Sequence, residues 1–264
     1  MSENFRYLIY DIESVVDKNL LQRVLYPELQ GDYEGAYQKH VAELAEEGRN
    51  FINPAFHIPV VIAVAAVNSD LELTKVGLLG KDDKKPRSLV THFWETYLDF
   101  DPVLVDFNGK GFDLRLLELW AFRLGLNLGP QYFGKFGPRY RFSEEKHLDL
   151  HEFLTNYGAI RLRGGLNLFS KILGKPGKME TSGDKVQELF DRNKLFEIED
   201  YCLSDTMDTY FVFLRTQVMR GAISLDQEKH LVEQARDHMV KMSEESGVFK
   251  EYLNHFEFWS PDQP

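Results

Sequence analysis

Short apolar segments separated by polar turns recur along the first two thirds of the chain. They are rich in β-branched and aromatic residues, which predicts strands. One of them, Pro59–Val67, is continuously apolar, as is typical of a central strand buried on both faces. The predicted strands are Arg6–Ile12, Pro59–Val67, Leu71–Leu79 and Val103–Phe107, with a fifth at the start of His147–Leu154.

Longer segments with apolar residues at helical spacing lie between and after these strands. The predicted helices are about Tyr33–Glu47, Pro86–Leu98, Phe112–Gly125, one that begins at Gly164-Gly165, Ser182–Asp191, Phe196–Met219 and most of Leu225–Phe256. The alternation predicts an α/β fold, a mixed five-stranded sheet flanked by helices. Without repeats or low-complexity linkers, we expect a single domain over residues 1–264. Its core is about 5–220, with a helical insert at 14–58 and a helical C-terminal extension at 221–264.

The composition, 43% hydrophobic and 28% charged residues in 264, is that of an ordinary folded protein. No apolar run approaches the ~20 residues that a membrane span needs, and the N-terminus lacks the features of a secretory signal. The single cysteine, Cys202, excludes an internal disulfide. We therefore expect a cytoplasmic protein that does not act at a membrane.

The formal charge of −11 argues against a passive nucleic-acid-binding module, which should be basic. The charge is uneven, however. Residues 135–178 contain nine Lys and Arg against four Asp and Glu, a net +5, which leaves −16 on the rest. An acidic body with one basic segment can hold metal in one place and a polyanion in another, although an ordinary solvated loop region would look the same.

Two carboxylates stand at the end of the first predicted strand. Asp11 and Glu13 are two residues apart, so on a strand they point to the same face. Functional sites of open α/β sheets gather at the carboxyl ends of strands. By itself the pair is a weak signal, because Asp-x-Glu is common by chance and is better explained as an exposed strand end with solvated acids.

A third carboxylate follows the fourth predicted strand, in the segment 108–113 with the sequence NGKGFD. Its glycines allow the backbone to approach another group closely. Asn108 can donate a hydrogen bond to a sugar or a phosphate. Asp113 opens the next helix, where it either reaches a site or caps the helix.

A fourth carboxylate lies in the long helix near the C-terminus. Tyr201 and Asp205 are four residues apart and therefore share one helix face. They bring a phenol and a carboxylate to one place, unless the tyrosine is simply buried and bonded to its own aspartate. Four converging carboxylates would repel each other unless hard cations lay between them, and Mg²⁺ or Mn²⁺ suits oxygen ligands.

The segments YDIE, NGKGFD and YCLSD, in this order, resemble the three motifs of the DEDD 3′–5′ exonucleases. Tyr201 resembles the tyrosine of the DEDDy branch. The overall match is to the predicted exonuclease family related to the proofreading domain of family B DNA polymerases, over about residues 5–220. The resemblance implies a ribonuclease-H-like fold and removal of nucleoside 5′-monophosphates from a 3′ end. It implies that Asp11, Glu13, Asp113 and Asp205 hold two divalent ions, Mg²⁺ or Mn²⁺, and that Tyr201 orients, or helps to deprotonate, the attacking water.

Asp106 stands where the family pattern suggests a smaller or neutral residue, and its effect on the site is open. The predicted substrate contacts are the Ile12 backbone, Asn108, Phe112 and Asn167, although Phe112 is equally suited to the core. Candidate contacts to the phosphate backbone are Arg161, Arg163, Lys171, Lys175 and Lys178.

The expected partner is the 3′ end of a single-stranded nucleic acid, with DNA favoured by the resemblance. Two alternatives stay open: a 3′–5′ exoribonuclease, and a catalytically degenerate nuclease fold that only binds nucleic acid. The intact set of acids and tyrosine favours an active enzyme, because a degenerate relative could lose these residues without harm.

Overall fold

Five strands form one mixed sheet in the order β3-β2-β1-β4-β5. The computed structural model describes residues 5–80, 83–142, 144–178, 183–244 and 246–261. β1 runs antiparallel to β2 and parallel to β4, β2 pairs antiparallel with β3, and β4 pairs in parallel with β5. The strands are β1 Tyr7–Val16, β2 His57–Val67, β3 Leu73–Leu78, β4 Val103–Asp106 and β5 His147–Asp149.

Helices cover both faces of this sheet, which confirms the predicted α/β class. They are α1 Lys18–Leu25, α2 Tyr33–Glu46, α3 Pro86–Phe100, α4 Asp113–Leu124, α5 Pro130–Phe133, α6 Leu150–Thr155, α7 Gly165–Ile172, α8 Val186–Asp191, α9 Leu195–Met219, α10 Leu225–Met242 and α11 Gly247–Asn254. Among the described residues, no helix is long and apolar enough to cross a membrane. Of the predicted helix Ser182–Asp191, Ser182 lies outside the described residues, and a 3₁₀ turn at Gly183–Lys185 precedes α8.

The central strand β1 ends four residues later than predicted, at Val16 instead of Ile12. Beyond Glu13 it continues to pair with β2 after a shift in register, with Ser14 opposite Pro59 and Val16 opposite His57. The shift falls where β2 carries a proline, which cannot donate to the ladder. The segment between the two strands is therefore 17–56 rather than 14–58, and it holds α1, α2 and a 3₁₀ turn at Pro54–Phe56.

Two apolar layers pack against the sheet, one on each of its faces, and they contain alternate residues of β1. Leu8, Tyr10 and Ile12 face a layer formed with α3 and α4. Ile9 and Val15 face the opposite layer, where α9 crosses β1 and β2. This alternation follows the two-residue period of a strand, and it directs the odd-numbered acids of β1 toward α9.

Helix α9 lies close against the sheet because β2 presents small side chains to it. Ala63 and Ala65 are fully buried in the layer that contains α9. The thiol of Cys202, also fully buried, donates to the backbone oxygen of Asp11 at 3.3 Å. α9 thus contacts the backbone of β1 at the position of the first acid.

Candidate metal centre

β1 and α9 bring three of the predicted acids together. Asp11, Glu13 and Asp205 each offer a carboxylate oxygen, and these oxygens lie within 4.8 Å of one another. Glu13 is 9% exposed, and Asp11 and Asp205 are half-buried. Residues about 190 positions apart in the chain therefore form one acidic cluster.

Asp113 lies beside this cluster as the first residue of α4, and it is 7% exposed. Its negative charge raises the pKa of Glu13, and the charge of Asp11 in turn raises the pKa of Asp113. The carboxylate of Asp113 does not belong to the group of three oxygens within 4.8 Å. The chain leaves β4 at the same edge of the sheet where β1 carries its acids, which explains the proximity.

Burial is the largest cause that raises the pKa of every carboxyl group in this cluster. Burial raises the pKa of Glu13, Asp113 and Asp205 well above the usual range, and neighbouring carboxylates raise it further. For Asp11, burial raises the pKa from 3.8 to about 6. The Lys178 ammonium opposes the shift at Glu13 and Asp205.

The cluster fits a hard divalent cation. The Oδ2 atom of Asp11 is buried and has no hydrogen-bond partner among the residues that the structure describes. A buried polar atom without a partner is costly, and a cation would satisfy it. Oxygen-only donors at this spacing match the ligands that Mg²⁺ and Mn²⁺ prefer. The acidic group can therefore hold a metal ion.

The raised pKa values predict how the metal-free protein responds to pH. A carboxyl group whose pKa is higher in the folded state than in the unfolded state favours folding at low pH, and this contribution is lost as pH rises through the raised pKa. For Asp11 the window runs from 3.8 to about 6. We expect the free energy of unfolding, measured by denaturant titration in chelator, to fall between pH 4 and pH 6 and to fall further above this range as Glu13, Asp113 and Asp205 ionise.

The variant Asp11→Asn is the control for this prediction, since the amide does not titrate. Its unfolding free energy should depend less steeply on pH than that of the unmodified protein under the same conditions. An equal or steeper dependence in the variant would contradict the assignment of a raised pKa to Asp11.

Tyr201 enters the same site from the turn of α9 before Asp205. It is 9% exposed, and its hydroxyl interacts with the Asp205 carboxylate. Burial, followed by the charges of Asp205, Glu13 and Asp11, raises its pKa above the ordinary value. The phenol is therefore neutral at physiological pH. A cavity of about 730 Å³ opens beside it, lined in part by Lys178.

Asp106 does not join the acidic cluster. It is fully buried on the opposite face of the sheet, where it accepts hydrogen bonds from the Tyr10 hydroxyl at 2.5 Å and the Gly109 backbone N–H at 2.9 Å. The ring of His147 lies 2.7 Å away through Nε2. A Cβ at Gly109 would lie 1.9 Å from Asp106 Oδ2, so this turn requires glycine. Asp106 thus stabilises the turn that leads to Asp113.

Asp149 supports the same turn from the end of β5. Its carboxylate accepts the backbone N–H groups of Asn108 and Lys110, both at 3.0 Å, and that of Glu152 at 3.1 Å. It therefore caps α6 while it holds the segment that carries Asp113. Sequence reasoning missed this role, although an acid at the end of a strand and the start of a helix was a usable signal.

The predicted substrate residues differ in how far their side chains are exposed to solvent. The side chain of Ile12 is buried in the layer with α3 and α4, so only its backbone faces the acids. Asn108 is exposed and adopts a positive φ of 72°. Phe112 is half-buried and packs against the same layer as Ile12. The Oδ1 atom of Asn167 accepts the Lys178 backbone N–H at 2.8 Å, so this atom fixes a loop.

Two aromatic residues that the sequence did not connect to the site contact Phe112. The ring centroids of Phe51 and His57 lie 5.5 Å and 5.3 Å from that of Phe112. Phe51 is half-exposed, at 51%, so the three rings form an accessible aromatic surface. No local pattern signals this contact, because it depends on how the segment 17–56 returns to β2.

Lys175, a predicted phosphate contact, forms its hydrogen bonds inside the protein. Its side chain is buried, and its ammonium donates to the backbone oxygens of Leu173 and Glu257 at 2.9 Å and 2.7 Å. The ammonium also lies 4.0 Å from the ring centroid of Phe256. Lys175 therefore fastens the C-terminal segment to the domain and does not present its charge to solvent.

A mixed five-stranded sheet of this order, flanked by helices and with carboxylates on its central strand, is consistent with an α/β fold of the ribonuclease-H-like exonuclease class. The family described as "Predicted 3'-5' exonuclease related to the exonuclease domain of PolB" matches residues 49–256, and the chain belongs to this family. The matched range includes Asp113, Tyr201 and Asp205 and begins after β1. No curated protein matches the chain.

Proposed function

We propose that this protein is a metal-dependent 3′–5′ exonuclease of the DEDDy type. It hydrolyses the 3′-terminal phosphodiester of a single-stranded nucleic acid, with DNA favoured, and releases nucleoside 5′-monophosphates. The observation that carries the proposal is the cluster of Asp11, Glu13 and Asp205, whose oxygens lie within 4.8 Å of one another in a chain of an exonuclease family.

The cofactors in this proposal are two Mg²⁺ or Mn²⁺ ions held by Asp11, Glu13, Asp113 and Asp205. When bound, such ions stabilise the charge that develops on the attacking and leaving oxygens of an in-line phosphoryl displacement. The protein contributes the rigid placement of the four carboxylates. The turn before Asp113 is held by Asp106 and Asp149, and the backbone at Asp11 is held by Cys202.

Tyr201 positions the attacking water in this proposal and does not deprotonate it. Its pKa is raised, so the hydroxyl keeps its proton and acts as a hydrogen-bond donor and acceptor. It lies on the turn of α9 before Asp205, and its hydroxyl interacts with that carboxylate. Holding a water in a reactive geometry is worth about 10²-fold in rate in many enzymes.

The terminal nucleotide contacts the edge of the site formed by the turn before α4. Asn108 is exposed there and can bond to the terminal sugar or phosphate. Phe112, with Phe51 beside it, offers an aromatic surface for the terminal base. The backbone at Ile12 lies between the two acids of β1 and faces the 3′ terminus, and Asn167 shapes the cleft through the Lys178 loop.

The test is digestion of 5′-labelled single strands, DNA and RNA, in Mg²⁺, Mn²⁺ or chelator. We expect a ladder of products shortened from the 3′ end in either metal and none in chelator. Asp113→Ala should abolish the ladder, because it removes a proposed ligand. Asp237→Ala, at an exposed acid on α10, is the control and should retain it.

The rates of digestion of the DNA strand and the RNA strand decide between the proposed function and its alternatives. Faster digestion of RNA would make the protein an exoribonuclease. Binding of either strand without any metal-dependent product would indicate a degenerate nuclease fold. Equal digestion by Asp113→Ala and the unmodified protein would remove Asp113 from the site.

A further inference from the structure

A group of exposed aromatic residues lies in the segment from the end of α5 to the turn before β5, Phe133–Phe142, here called the aromatic loop. Four of its rings are between 44% and 61% exposed, namely Phe133, Phe136, Tyr140 and Phe142. Large rings usually gain free energy from burial, so a contiguous group left in solvent indicates a binding surface.

The aromatic loop contains and adjoins buried residues that fix the position of its backbone, although its four rings are exposed. Tyr132 is fully buried, contacts Trp94 at a centroid distance of 5.0 Å and donates to Glu118 at 2.7 Å. Gly137 and Pro138 are also buried. A Cβ at Gly137 would lie 2.3 Å from the Gln131 backbone oxygen, so the loop folds tightly on itself. The exposure of the rings is therefore not explained by poor packing of the loop.

Cations alternate with the rings. Lys135 lies 5.3 Å from the ring centroid of Phe136, and Arg141 lies 5.7 Å from that of Phe142. Arg139 stands 5.5 Å from the ring of Phe133. Residues 128–142 contain these three cations and no acid, in a chain whose net charge is −11. Two of these cations also pair with acids outside the loop, Arg139 with Glu118 at 3.1 Å and Arg141 with Glu152 at 3.7 Å. The loop itself is a basic, aromatic segment of an acidic protein.

The aromatic loop adjoins the turn that leads to Asp113. The Lys110 ammonium donates to the Arg141 backbone oxygen at 2.6 Å, and Phe142 contacts Tyr157 at a centroid distance of 5.6 Å. A cavity of about 430 Å³ is lined by Asn108, Gly111 and Arg141, among others. The aromatic loop therefore lies beside the turn that carries Asn108 and leads to Asp113.

We propose that the aromatic loop binds the nucleic acid strand upstream of its 3′ end, with bases stacked on its rings and phosphates beside its cations. Aromatic stacking with basic side chains suits single strands, because bases of a duplex already stack on one another. This proposal rests on the proposed function, since it assigns the loop to the same substrate. It makes the enzyme prefer long single strands over dinucleotides, with little dependence on sequence.

The test uses the double variant Phe136→Ala/Phe142→Ala and two 5′-labelled DNA substrates, one of twelve nucleotides and one of two. We expect the ratio of kcat/KM for the long strand to kcat/KM for the dinucleotide to fall by about 10-fold or more, the loss typical of removing stacked rings. Tyr33→Ala, at a ring of α2 that is 43% exposed, is the matched control and should keep the ratio of the unmodified protein.

Binding measured without cleavage separates this proposal from the proposed function. The Kd of a fluorescent twelve-nucleotide strand, measured by anisotropy in chelator, should rise by about 10-fold or more in the double variant. Lys135→Gln, which leaves all four rings in place, should weaken binding and reduce its salt dependence. If the unmodified protein binds the strand but cleaves nothing, the nuclease assignment fails and the loop assignment stands. An unchanged Kd and kcat/KM ratio in the double variant, or no binding by the unmodified protein, would overturn the loop assignment.

Discussion

Asp11→Asn is expected to lower kcat by about 10³-fold or more and, in chelator, to make the protein more stable. The amide keeps the shape of the side chain but removes one negative charge from a buried cluster in which carboxylates repel each other. Without metal, that repulsion and the burial of Asp11 Oδ2 without a partner oppose folding. With metal, the same charge is needed, because it neutralises the cation.

The measurement is thermal unfolding in chelator and in Mn²⁺, beside the rate of strand digestion. A gain of about 1 kcal/mol in chelator corresponds to a rise of roughly 2–4 °C in Tm for a chain of this size. The unmodified protein should gain about 3 kcal/mol from Mn²⁺ at one hundred times its Kd, and the variant should gain less. A decrease in Tm in chelator together with full activity would contradict the assignment of Asp11 as a ligand.

Asp106→Asn is the matched control, since Asp106 is also buried and lies near the site. Its carboxylate accepts from the Tyr10 hydroxyl and the Gly109 N–H, with His147 adjacent. An amide would set an NH₂ group against these donors, which costs about 1–3 kcal/mol. The two substitutions should therefore change the stability in chelator in opposite directions.

Tyr201→Phe is expected to lower kcat by about 10²-fold while binding of Mn²⁺ is retained. The substitution removes only the hydroxyl that we propose to position the water. The carboxylates stay in place, so the rise of Tm in Mn²⁺ should remain close to that of the unmodified protein. The measurements are kcat on a single strand and thermal unfolding with and without Mn²⁺.

Tyr210→Phe provides the control on the same helix. Its hydroxyl donates to the Leu71 backbone oxygen at 2.9 Å, away from the acids. Loss of this hydrogen bond should cost about 1 kcal/mol of stability and leave kcat unchanged. Full activity of Tyr201→Phe, or an equal loss of kcat in both variants, would exclude a specific role for Tyr201.

Periodicity predicted most of the fold and most of the acidic cluster. Strand alternation placed Asp11 and Glu13 on one face, and helical spacing placed Tyr201 beside Asp205. The strands of the sheet and the long helix α9 were also predicted, with errors of a few residues at their ends. The largest error was the end of β1, because a strand's length depends on its partner, and β2 continues the pairing past Pro59.

Some roles could not be predicted because they depend on contacts between distant segments. In the sequence, Asp106 looked like an excess charge near the site. In the structure, its contacts with Tyr10 and His147 show that it stabilises the turn that leads to Asp113. Lys175 looked like a surface cation, yet the returning C-terminal segment encloses it. Phe51 carried no signal at all, since only the path of residues 17–56 brings it to Phe112.

The amino-acid sequence by itself determined which residues share a local face, because the periods of strands and helices are properties of the backbone. Only the tertiary structure decided that the acids of β1 meet Asp205 of α9, since that distance depends on close packing of the helix over Ala63 and Ala65. The same holds for the aromatic loop. Its residues are visible in the sequence, but its exposure beside the turn of Asp113 depends on the buried anchors Tyr132 and Gly137.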